Sequence, residues 1–460
     1  MNLVQGSFRD RSGYVYCIDE RIIRSVNASY LKDWQAAVSS GLLEECLAKK
    51  WLPGFHEVSP PEENAALGLE VERIPFISYP YEWCFSQLKD AALLTLDLHV
   101  AALEKGLVLK DASAYNVQFV GSSPRFIDLL SFERWKEGVP WQAYRQFCMH
   151  FLAPLALSRY LGLWAGTLTQ MRTDGIPLAR AAALLPWRAR LRPGLALHLF
   201  AHAAMEKRHA DARNAAGKLK DVCMRREQLI NLALSLRSLI EKMKPPKAAT
   251  QWGGYYGDTN YTEAALAFKR EKVAAIAAAA GKPAGIAVDL GANTGMFSAL
   301  LAPHFRYVLA PDGDALAVEQ HYAALRNKGN SSILPLVLDL SNPSPALGWA
   351  NAERASFTGR CKASMVAALA LVHHLALTEG IPFREQARFF ADMLDDGGVL
   401  LLEFVPPDDS QVQRMTLARQ DDLGWYRLPA LLNDFAADFV LENNIPIAES
   451  QRSLFVWRKR

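Results

Sequence analysis

A glycine-rich turn in the C-terminal half has residue types suited to holding a small ligand. Residues 285–295 read Gly-Ile-Ala-Val-Asp-Leu-Gly-Ala-Asn-Thr-Gly, so a short apolar stretch leads directly into the turn. Glycines let backbone amides approach a ligand closely, and a helix that starts there adds the positive end of its dipole. The spacing differs from the G-x-G-x-x-G fingerprint of dinucleotide-binding turns, which disfavours NAD.

Two acidic residues follow at the ends of later apolar stretches. Asp312 comes 21 residues after Gly291, near the separation expected for a carboxylate that accepts hydrogen bonds from ribose hydroxyls. Asp339 ends the next apolar stretch, where an acidic side chain either contacts a ligand or caps a helix or turn.

Three further residues could act as bases. His373 and His374 follow a fourth apolar stretch, and Glu403 lies near the end of a fifth. An unperturbed imidazole titrates near neutral pH, so either histidine could take a proton from an oxygen or nitrogen nucleophile. The alternative is that one or both histidines pack or cap at the end of a strand.

Five apolar stretches separated by helical spacing predict an α/β fold with a parallel, doubly wound sheet. The predicted strands are 286–290, 307–311, 333–338, 365–371 and 399–404. Ligands bind outside the carboxyl ends of such strands, so the acidic residues and the histidines should meet at one edge. Residues 438–441 and 453–457 predict two closing strands, and residues 261–280 predict a preceding helix.

Residues 288–295, with Asp312 and Asp339, resemble the class I S-adenosylmethionine-dependent methyltransferases over roughly residues 255–460. The resemblance implies a Rossmann-like seven-stranded sheet with an antiparallel seventh strand, and S-adenosyl-L-methionine as cofactor. Asp289, Gly291 and Gly295 would then cradle the methionine portion, Asp312 the ribose and Asp339 the adenine amino group. The cofactor-binding positions expected on this basis are Asp289, Gly291, Ala292, Asn293, Gly295, Asp312, Asp339 and Leu340.

Methyl transfer from a sulfonium needs mainly an aligned nucleophile, so positioning supplies most of the acceleration and no metal is expected in this domain. The residues after the fourth stretch, Ala368-Leu-Ala-Leu, do not form an Asn-Pro-Pro-Tyr-type motif, which disfavours methylation of DNA base amines. Small molecules, sugars, protein side chains and RNA all stay open as the methyl acceptor.

A second constellation lies in the N-terminal half. Asp111 and Asn116 stand five residues apart and Asp128 follows twelve residues later, a spacing that kinases use for a catalytic base and two metal ligands. The region resembles the protein-kinase-like and aminoglycoside-phosphotransferase-like fold, which implies an α+β domain. Arg24 stands where the strand lysine is expected, and Asp-Leu-Leu at residue 128 replaces Asp-Phe-Gly.

Three interpretations of this second constellation stay open. Its acidic residues could cap turns, bind a nucleotide or metal without transfer, or transfer a phosphoryl group from Mg-ATP. The pattern also predicts a hairpin over 14–18 and 22–26, a helix over 31–49, and a strand and hinge over 74–83.

The middle of the chain is basic. Residues 186–247 hold 14 Lys and Arg against five Asp and Glu, although the net charge of the chain is only +3. This segment is either a solvated face of packed helices or a platform for RNA or another polyanion. Helical spacing over 219–243, followed by two prolines, predicts a domain boundary.

We therefore expect a kinase-like N-terminal domain over 1–244, either an active kinase or a pseudokinase, that includes the mostly helical basic segment 186–244. A linker over 245–260 and a methyltransferase domain over 261–460 follow. The six cysteines form no Cys-x-x-Cys motif, and no signal peptide or membrane-spanning stretch is recognisable. These features favour the cytoplasm and disfavour a membrane partner.

Motifs from both halves together resemble a bacterial two-part family that includes nodulation-associated proteins of rhizobia. They lie at residues 73–83, 110–116 and 127–132 and in the glycine turn. The leading hypothesis is a methyltransferase whose N-terminal domain presents the unidentified acceptor or regulates access to it. The alternatives are an ATP-dependent kinase that uses Asp111, Asn116 and Asp128, and a non-catalytic sensor of S-adenosylmethionine or nucleotide.

Overall fold

A computed structural model describes residues 2–205, 223–246, 261–417 and 424–460. The chain divides into two compact units. Unit 1 comprises Met1–Val120, Pro124–Ala248 and Leu347–Arg354, and unit 2 comprises Gly121–Ser123, Ala249–Ala346 and Ala355–Arg460. Residues 206–222 of the basic segment and residues 247–260 of the predicted linker lie outside the described residues.

Unit 1 contains a five-stranded antiparallel sheet and two smaller sheets. The strands are β1 (Asn2–Leu3), β2 (Val15–Ile18), β3 (Arg21–Asn27), β4 (Phe55–Val58), β5 (Ala65–Val71), β6 (Leu107–Leu109), β7 (Val117–Val120), β8 (Ser123–Phe126) and β9 (Phe132–Arg134). The large sheet has the order β1-β2-β3-β5-β4, while β6 pairs with β9 and β7 pairs with β8. The predicted hairpin is therefore present as β2 and β3.

Helices make up most of the rest of unit 1. They are α1 (Leu31–Ser39), α2 (Leu42–Ala48), α3 (Phe85–Glu104), α4 (Tyr144–Phe147), α5 (Ala153–Leu161), α6 (Ala165–Gln170), α7 (Leu178–Leu184), α8 (Pro193–Leu195) and α9 (Arg226–Glu241). Helix α3 is buried along most of its length and packs against α9, which corresponds to the predicted helix over 219–243.

Two local predictions in unit 1 are wrong. The helix predicted over 31–49 is broken into α1 and α2, because Gly41 adopts a left-handed φ of +72° that cannot continue an α-helix. Residues 74–79 form no strand, although all of them are described, and a 3-10 helix follows at Pro80–Glu82. Pro75 and Pro80 lack the amide hydrogen that a strand needs for pairing.

Unit 2 is built on a seven-stranded sheet. Its strands are β10 (Lys282–Leu290), β11 (Phe305–Asp312), β12 (Ile333–Val337), β13 (Ala363–Ala368), β14 (Leu394–Phe404), β15 (Phe439–Pro446) and β16 (Ser453–Lys459). The order is β12-β11-β10-β13-β14-β16-β15. The first five strands pair in parallel, as the pattern predicted, and β16 is antiparallel to both β14 and β15, as the resemblance implied.

The helices of unit 2 connect these strands. They are α10 (Glu263–Ala280), α11 (Ser298–Leu301), α12 (Ala315–Asn327), α13 (Phe357–Arg360), α14 (Phe383–Met393), α15 (Ser410–Thr416) and α16 (Leu428–Phe435). Helix α10 begins at an N-cap, where the Thr262 hydroxyl accepts a hydrogen bond from the Ala265 amide.

The register of the parallel strands sets the position of the site residues. Val288 of β10 lies opposite Leu309 of β11, and Asp289 lies opposite Ala367 of β13, so the carboxyl ends of these strands share one edge. The fourth strand was predicted to reach residue 371 but ends at Ala368, because Ala370 turns away with a φ of +51°. The two adjacent histidines therefore lie on a helical turn beyond the strand.

Among the described residues, no helix combines the length and the apolar character needed to cross a bilayer.

Two leucines of the sheet provide a test of the core. Leu401 of β14 is fully buried, whereas Leu441 of β15 is 40% exposed. We expect Leu401→Ala to lower the free energy of unfolding by about 2–5 kcal/mol through lost burial and a residual cavity. Leu441→Ala should change it by less than about 1 kcal/mol. Urea denaturation followed by circular dichroism measures both values, and equal effects would contradict the strand register.

Candidate functional site

The turn after β10 is held in a left-handed conformation and tied to the neighbouring strand. Gly291, Asn293 and Gly295 have φ values of +70°, +48° and +85°. The amides of Gly291 and Ala292 donate hydrogen bonds to the Pro311 carbonyl of β11 at 3.0 and 3.2 Å. Glycine adopts such angles at little cost, and asparagine tolerates them better than most residues. The sequence thus forms a tight turn at the carboxyl end of β10.

His321 of α12 packs behind this turn. A Cβ atom added to Gly295 would overlap the imidazole ring of His321. Burial lowers the pKa of His321 to about 4, so the ring is uncharged at neutral pH. Sequence reasoning missed this residue, although it lies four residues from both Ala317 and Leu325 on the buried face of α12.

Asp312, at the end of β11, is hydrogen-bonded to the glycine turn. Its Oδ2 accepts a hydrogen bond from the Asn293 amide at 2.8 Å, and its Oδ1 accepts one from the Asp314 amide at 2.7 Å. Burial raises the pKa of Asp312, while these two amide hydrogen bonds oppose the shift. Each carboxylate oxygen has a further lone pair, so the oriented group can still accept hydrogen bonds from two hydroxyls.

Asp289 is more deeply buried, with 2% of its surface exposed. The Ser298 hydroxyl donates a hydrogen bond to its Oδ2 at 2.6 Å. Burial, and to a smaller extent the charge of Asp312, raises the pKa of Asp289 from 3.8 to about 6. The structure thus brings Asp289, the glycine turn and Asp312 together on neighbouring strands.

Asp339 and Leu340 follow the end of β12. Asp339 is exposed, and its Oδ1 accepts hydrogen bonds from the Ser341 amide at 2.8 Å and from the Ser341 hydroxyl at 2.7 Å. This geometry is that of a turn cap, which leaves the other carboxylate oxygen available. Leu340 lines a cavity of about 390 Å³ together with Leu375 and Phe389.

The rings of His373 and His374 contact each other, with centroids 4.1 Å apart and planes tilted by 40°. Burial is the main cause that brings the pKa of His373 well below its ordinary value. Burial and the positive charge of Arg452 lower the pKa of His374 to about 4. Both rings are therefore uncharged at neutral pH and are weak bases, so their action as proton acceptors stays a prediction.

Glu403 does not have the surroundings expected of a catalytic base. It is fully buried, its Oε2 lies 2.5 Å from the Lys269 ammonium, and the Tyr261 hydroxyl donates a hydrogen bond to its Oε1. Arg452 lies 3.7 Å from the same Oε1. Both oxygens are thus engaged by neighbouring groups, and the catalytic role of Glu403 stays a prediction.

Lys269, Glu403, Asp409 and Arg452 form what we term the buried ion network. Arg452 donates hydrogen bonds to the two carboxylate oxygens of Asp409 at 2.7 and 3.1 Å. The network joins α10, the end of β14 and the residue that precedes β16. Sequence reasoning missed Lys269, yet it lies on the face of α10 formed by Ala265, Val273 and Ala277, where an apolar residue is expected.

The N-terminal candidate residues are also brought together, in unit 1. Asp128 forms an ion pair with Arg24 of β3 at 2.6 Å, and Arg24 forms a second ion pair with Asp10. Burial and the nearby Asp128 carboxylate raise the pKa of Asp111, while a hydrogen bond from the Ser113 amide and the nearby side-chain amides of Gln146 and Asn116 oppose the shift. Arg24, Asp111, Asn116 and Asp128 therefore share one site, in which the acidic groups are already engaged.

Comparison with known proteins shows the family of the chain. No protein-family model matches it. The chain is 31% identical over 471 residues to the nodulation protein NoeA of Rhizobium meliloti (strain 1021), and the match covers 99% of this chain and 96% of NoeA. The chain belongs to the NoeA family. The rhizobial resemblance expected from the motifs of both halves is thereby confirmed.

Solved structures similar to this NoeA-family chain include two methyltransferases. The N-methyltransferase NodS from Bradyrhizobium japonicum WM9 is 15% identical, with 43% of this chain and 97% of NodS covered at a TM-score of 0.32. Magnesium protoporphyrin IX methyltransferase (ChlM) from Synechocystis PCC 6803 is 14% identical, with 45% and 93% covered at a TM-score of 0.32. The function of this chain is therefore argued from its own sheet and site residues.

Lys269 provides a test of the buried ion network. Replacing it with methionine leaves the Glu403 carboxylate buried without its nearest cation, and we expect the free energy of unfolding to fall by about 3–5 kcal/mol. Lys272, on the same helix, pairs with the more exposed Glu271, so Lys272→Met should cost less than about 1 kcal/mol. Thermal and urea unfolding of the two variants measure the difference. Similar losses would exclude a special role for Lys269.

The raised pKa of Asp289 predicts a pH dependence of stability. Between about pH 4 and pH 6 the folded protein holds a proton on Asp289 that the unfolded chain has released. Raising the pH through this range therefore lowers the free energy of unfolding, by about 2–3 kcal/mol in total from this group. Asp289→Asn lacks this contribution, so its stability relative to the parent should rise over the same range. Urea titrations at several pH values test this, and parallel pH profiles would contradict it.

Proposed function

We propose that unit 2 is an S-adenosylmethionine-dependent methyltransferase. The observation that carries the proposal is one hydrogen bond. The Asn293 amide of the glycine turn donates it to the Asp312 carboxylate at the end of β11. This contact places a carboxylate suited to ribose hydroxyls beside a turn suited to the methionine portion. Five parallel strands and an antiparallel seventh support the proposal, because the methyltransferase resemblance implies that arrangement.

The residues present fit this cofactor. Gly291 would hold the methionine portion with Asp289 and Gly295, since its φ of +70° is one that residues with a side chain rarely adopt. Asp312 would hold the ribose hydroxyls through its two oriented oxygens. Asp339 would accept from the adenine amino group through its Oδ2, and Leu340 would contact the adenine ring.

The chain contributes mainly orientation to the chemistry. When bound, the cofactor supplies a methyl group on a sulfonium, which is a good leaving group. His373 and His374 are uncharged at neutral pH. They can therefore accept hydrogen bonds from the substrate that receives the methyl group, without repelling the positively charged sulfonium. Their low pKa values make strong base catalysis inefficient, which favours alignment of the nucleophile as the main source of acceleration.

Unit 1 is proposed to present the methyl acceptor or to regulate access to it. The kinase alternative is less well supported, because the Asp128 carboxylate is paired with Arg24. A sensor that binds S-adenosylmethionine without turnover would form no product, which distinguishes it from a methyltransferase. Incubation with cell extract and labelled S-adenosylmethionine should release S-adenosylhomocysteine and transfer label to an acceptor, and release of neither would favour the sensor.

Asp312→Ala tests cofactor binding directly. Loss of the charged hydrogen-bond acceptor should weaken the affinity for S-adenosylmethionine by about 1.5–3 kcal/mol, or roughly tenfold to a hundredfold. Isothermal titration calorimetry measures the affinity, and circular dichroism checks that the fold is intact. Asp396→Ala is the matched control, because the Asp396 side chain is 96% exposed. Unchanged affinity in a folded Asp312→Ala variant would overturn the proposal.

A further inference from the structure

A permanently charged side chain occupies the centre of the acidic site in unit 1. Arg24 of β3 is buried, and its Nη2 atom forms ion pairs with the carboxylates of both Asp10 and Asp128. A guanidinium group keeps its positive charge at any pH that a folded protein meets. One cation of this chain therefore already pairs with two of the acidic groups.

The Asp128 carboxylate has little capacity left for another cation. Its Oδ1 lies 2.6 Å from Arg24 and accepts a hydrogen bond from the Leu130 amide at 3.3 Å. Its Oδ2 accepts a hydrogen bond from the Ser131 hydroxyl. These three donors come from β3 and from the residues just after Asp128, so the local fold itself orients the carboxylate towards Arg24.

A magnesium ion has different requirements. Mg²⁺ takes six oxygen ligands in octahedral geometry at about 2.0–2.1 Å, commonly with one or two carboxylates among them. A guanidinium in contact with the same carboxylate repels a second cation and blocks that approach. Within the described part of the chain, no group of three or more His, Cys, Asp or Glu residues is arranged to hold a metal ion.

Lys110, the residue before Asp111, is also engaged. The Lys110 ammonium donates a hydrogen bond to the Ser12 hydroxyl at 2.6 Å and lies 4.4 Å from the centroid of the Tyr30 ring. It precedes Asp111 in the segment where a kinase would hold its substrate and metal. The site thus has the acidic residues of a phosphotransferase, but two of them, Asp10 and Asp128, are already paired with Arg24.

We propose that the Arg24 guanidinium replaces the divalent metal ion in this site, so that unit 1 binds no magnesium and transfers no phosphoryl group. Any nucleotide taken up there binds without a metal. The Asp10–Arg24–Asp128 cluster instead fixes β3 against the segment that follows β8. The inference does not depend on methyl transfer by unit 2.

Manganese titration of the full chain, followed by the electron paramagnetic resonance signal of free Mn²⁺, tests the proposal. The parent protein should leave the signal of added Mn²⁺ undiminished. Arg24→Ala frees the carboxylates of Asp10 and Asp128 beside Asp111, and we expect Mn²⁺ affinity to rise by about tenfold or more because more carboxylate charge becomes available. Arg21→Ala is the matched control, since Arg21 lies on the same strand and pairs with the surface residue Glu70.

The Mn²⁺ titration distinguishes a metal-binding site from one that Arg24 has filled. Stoichiometric Mn²⁺ binding by the parent that Asp128→Asn abolishes would overturn the proposal, and this comparison decides the question even if Arg24→Ala does not fold. Thermal shift with ATP gives a second readout. An equal shift with magnesium or with EDTA, or no shift in either, supports the proposal, whereas a shift that requires magnesium contradicts it.

Discussion

An ammonium group without access to water needs a carboxylate beside it, and the pairing of Lys269 with Glu403 meets this requirement at the centre of unit 2. The pair links the first helix of the unit to the end of its fifth strand, and Arg452 and Asp409 extend the link towards the last strand. A buried charge without its partner would strongly destabilise the fold, so the helix and the strands that carry these residues fix one another's positions. The ion pairs of the buried network therefore fix the positions of the elements around the candidate site.

This arrangement also sets the electrical environment of the site. Two cations of the network contribute to keeping the neighbouring His373 uncharged, and Arg452 acts in the same direction on His374. Asp289 experiences the charge of Lys269 in the opposite sense, although burial dominates its pKa. The charges of the network thus contribute, together with burial, to the protonation states of the residues at the candidate site.

Local patterns in the sequence predicted those parts of the fold that local physics controls. The apolar stretch before Gly291, the acidic residue at position 312 and the alternation of strands with helices sufficed for the sheet and its polar edge. The break between α1 and α2 was missed because one left-handed glycine outweighed a regular helical pattern. Contacts across long separations were out of reach, since Lys269 and Glu403 lie 134 residues apart and nothing local joins them.

In the N-terminal half, too, the sequence indicated which residues form a site but not how their side chains pair. The spacing of Asp111, Asn116 and Asp128 was readable, and the structure does bring these residues together. Their chemistry was not readable, because it depends on which cation reaches Asp128. The kinase-like resemblance placed Arg24 in the same site, but only the folded chain shows its guanidinium paired with the Asp128 carboxylate. Residue type and spacing identify a site more readily than they establish what the site still can bind.

The contact between Gly295 and His321 has a consequence for how this family can diverge. The two residues share one volume, since a side chain at position 295 would occupy the space of the imidazole ring. A lineage could accept alanine at position 295 only after position 321 had acquired a smaller residue, and the backbone strain at φ +85° would persist in any case. Position 295 should therefore change only in chains that carry a smaller residue at position 321, and a side chain at 295 beside a histidine at 321 marks a chain whose turn has lost its present shape.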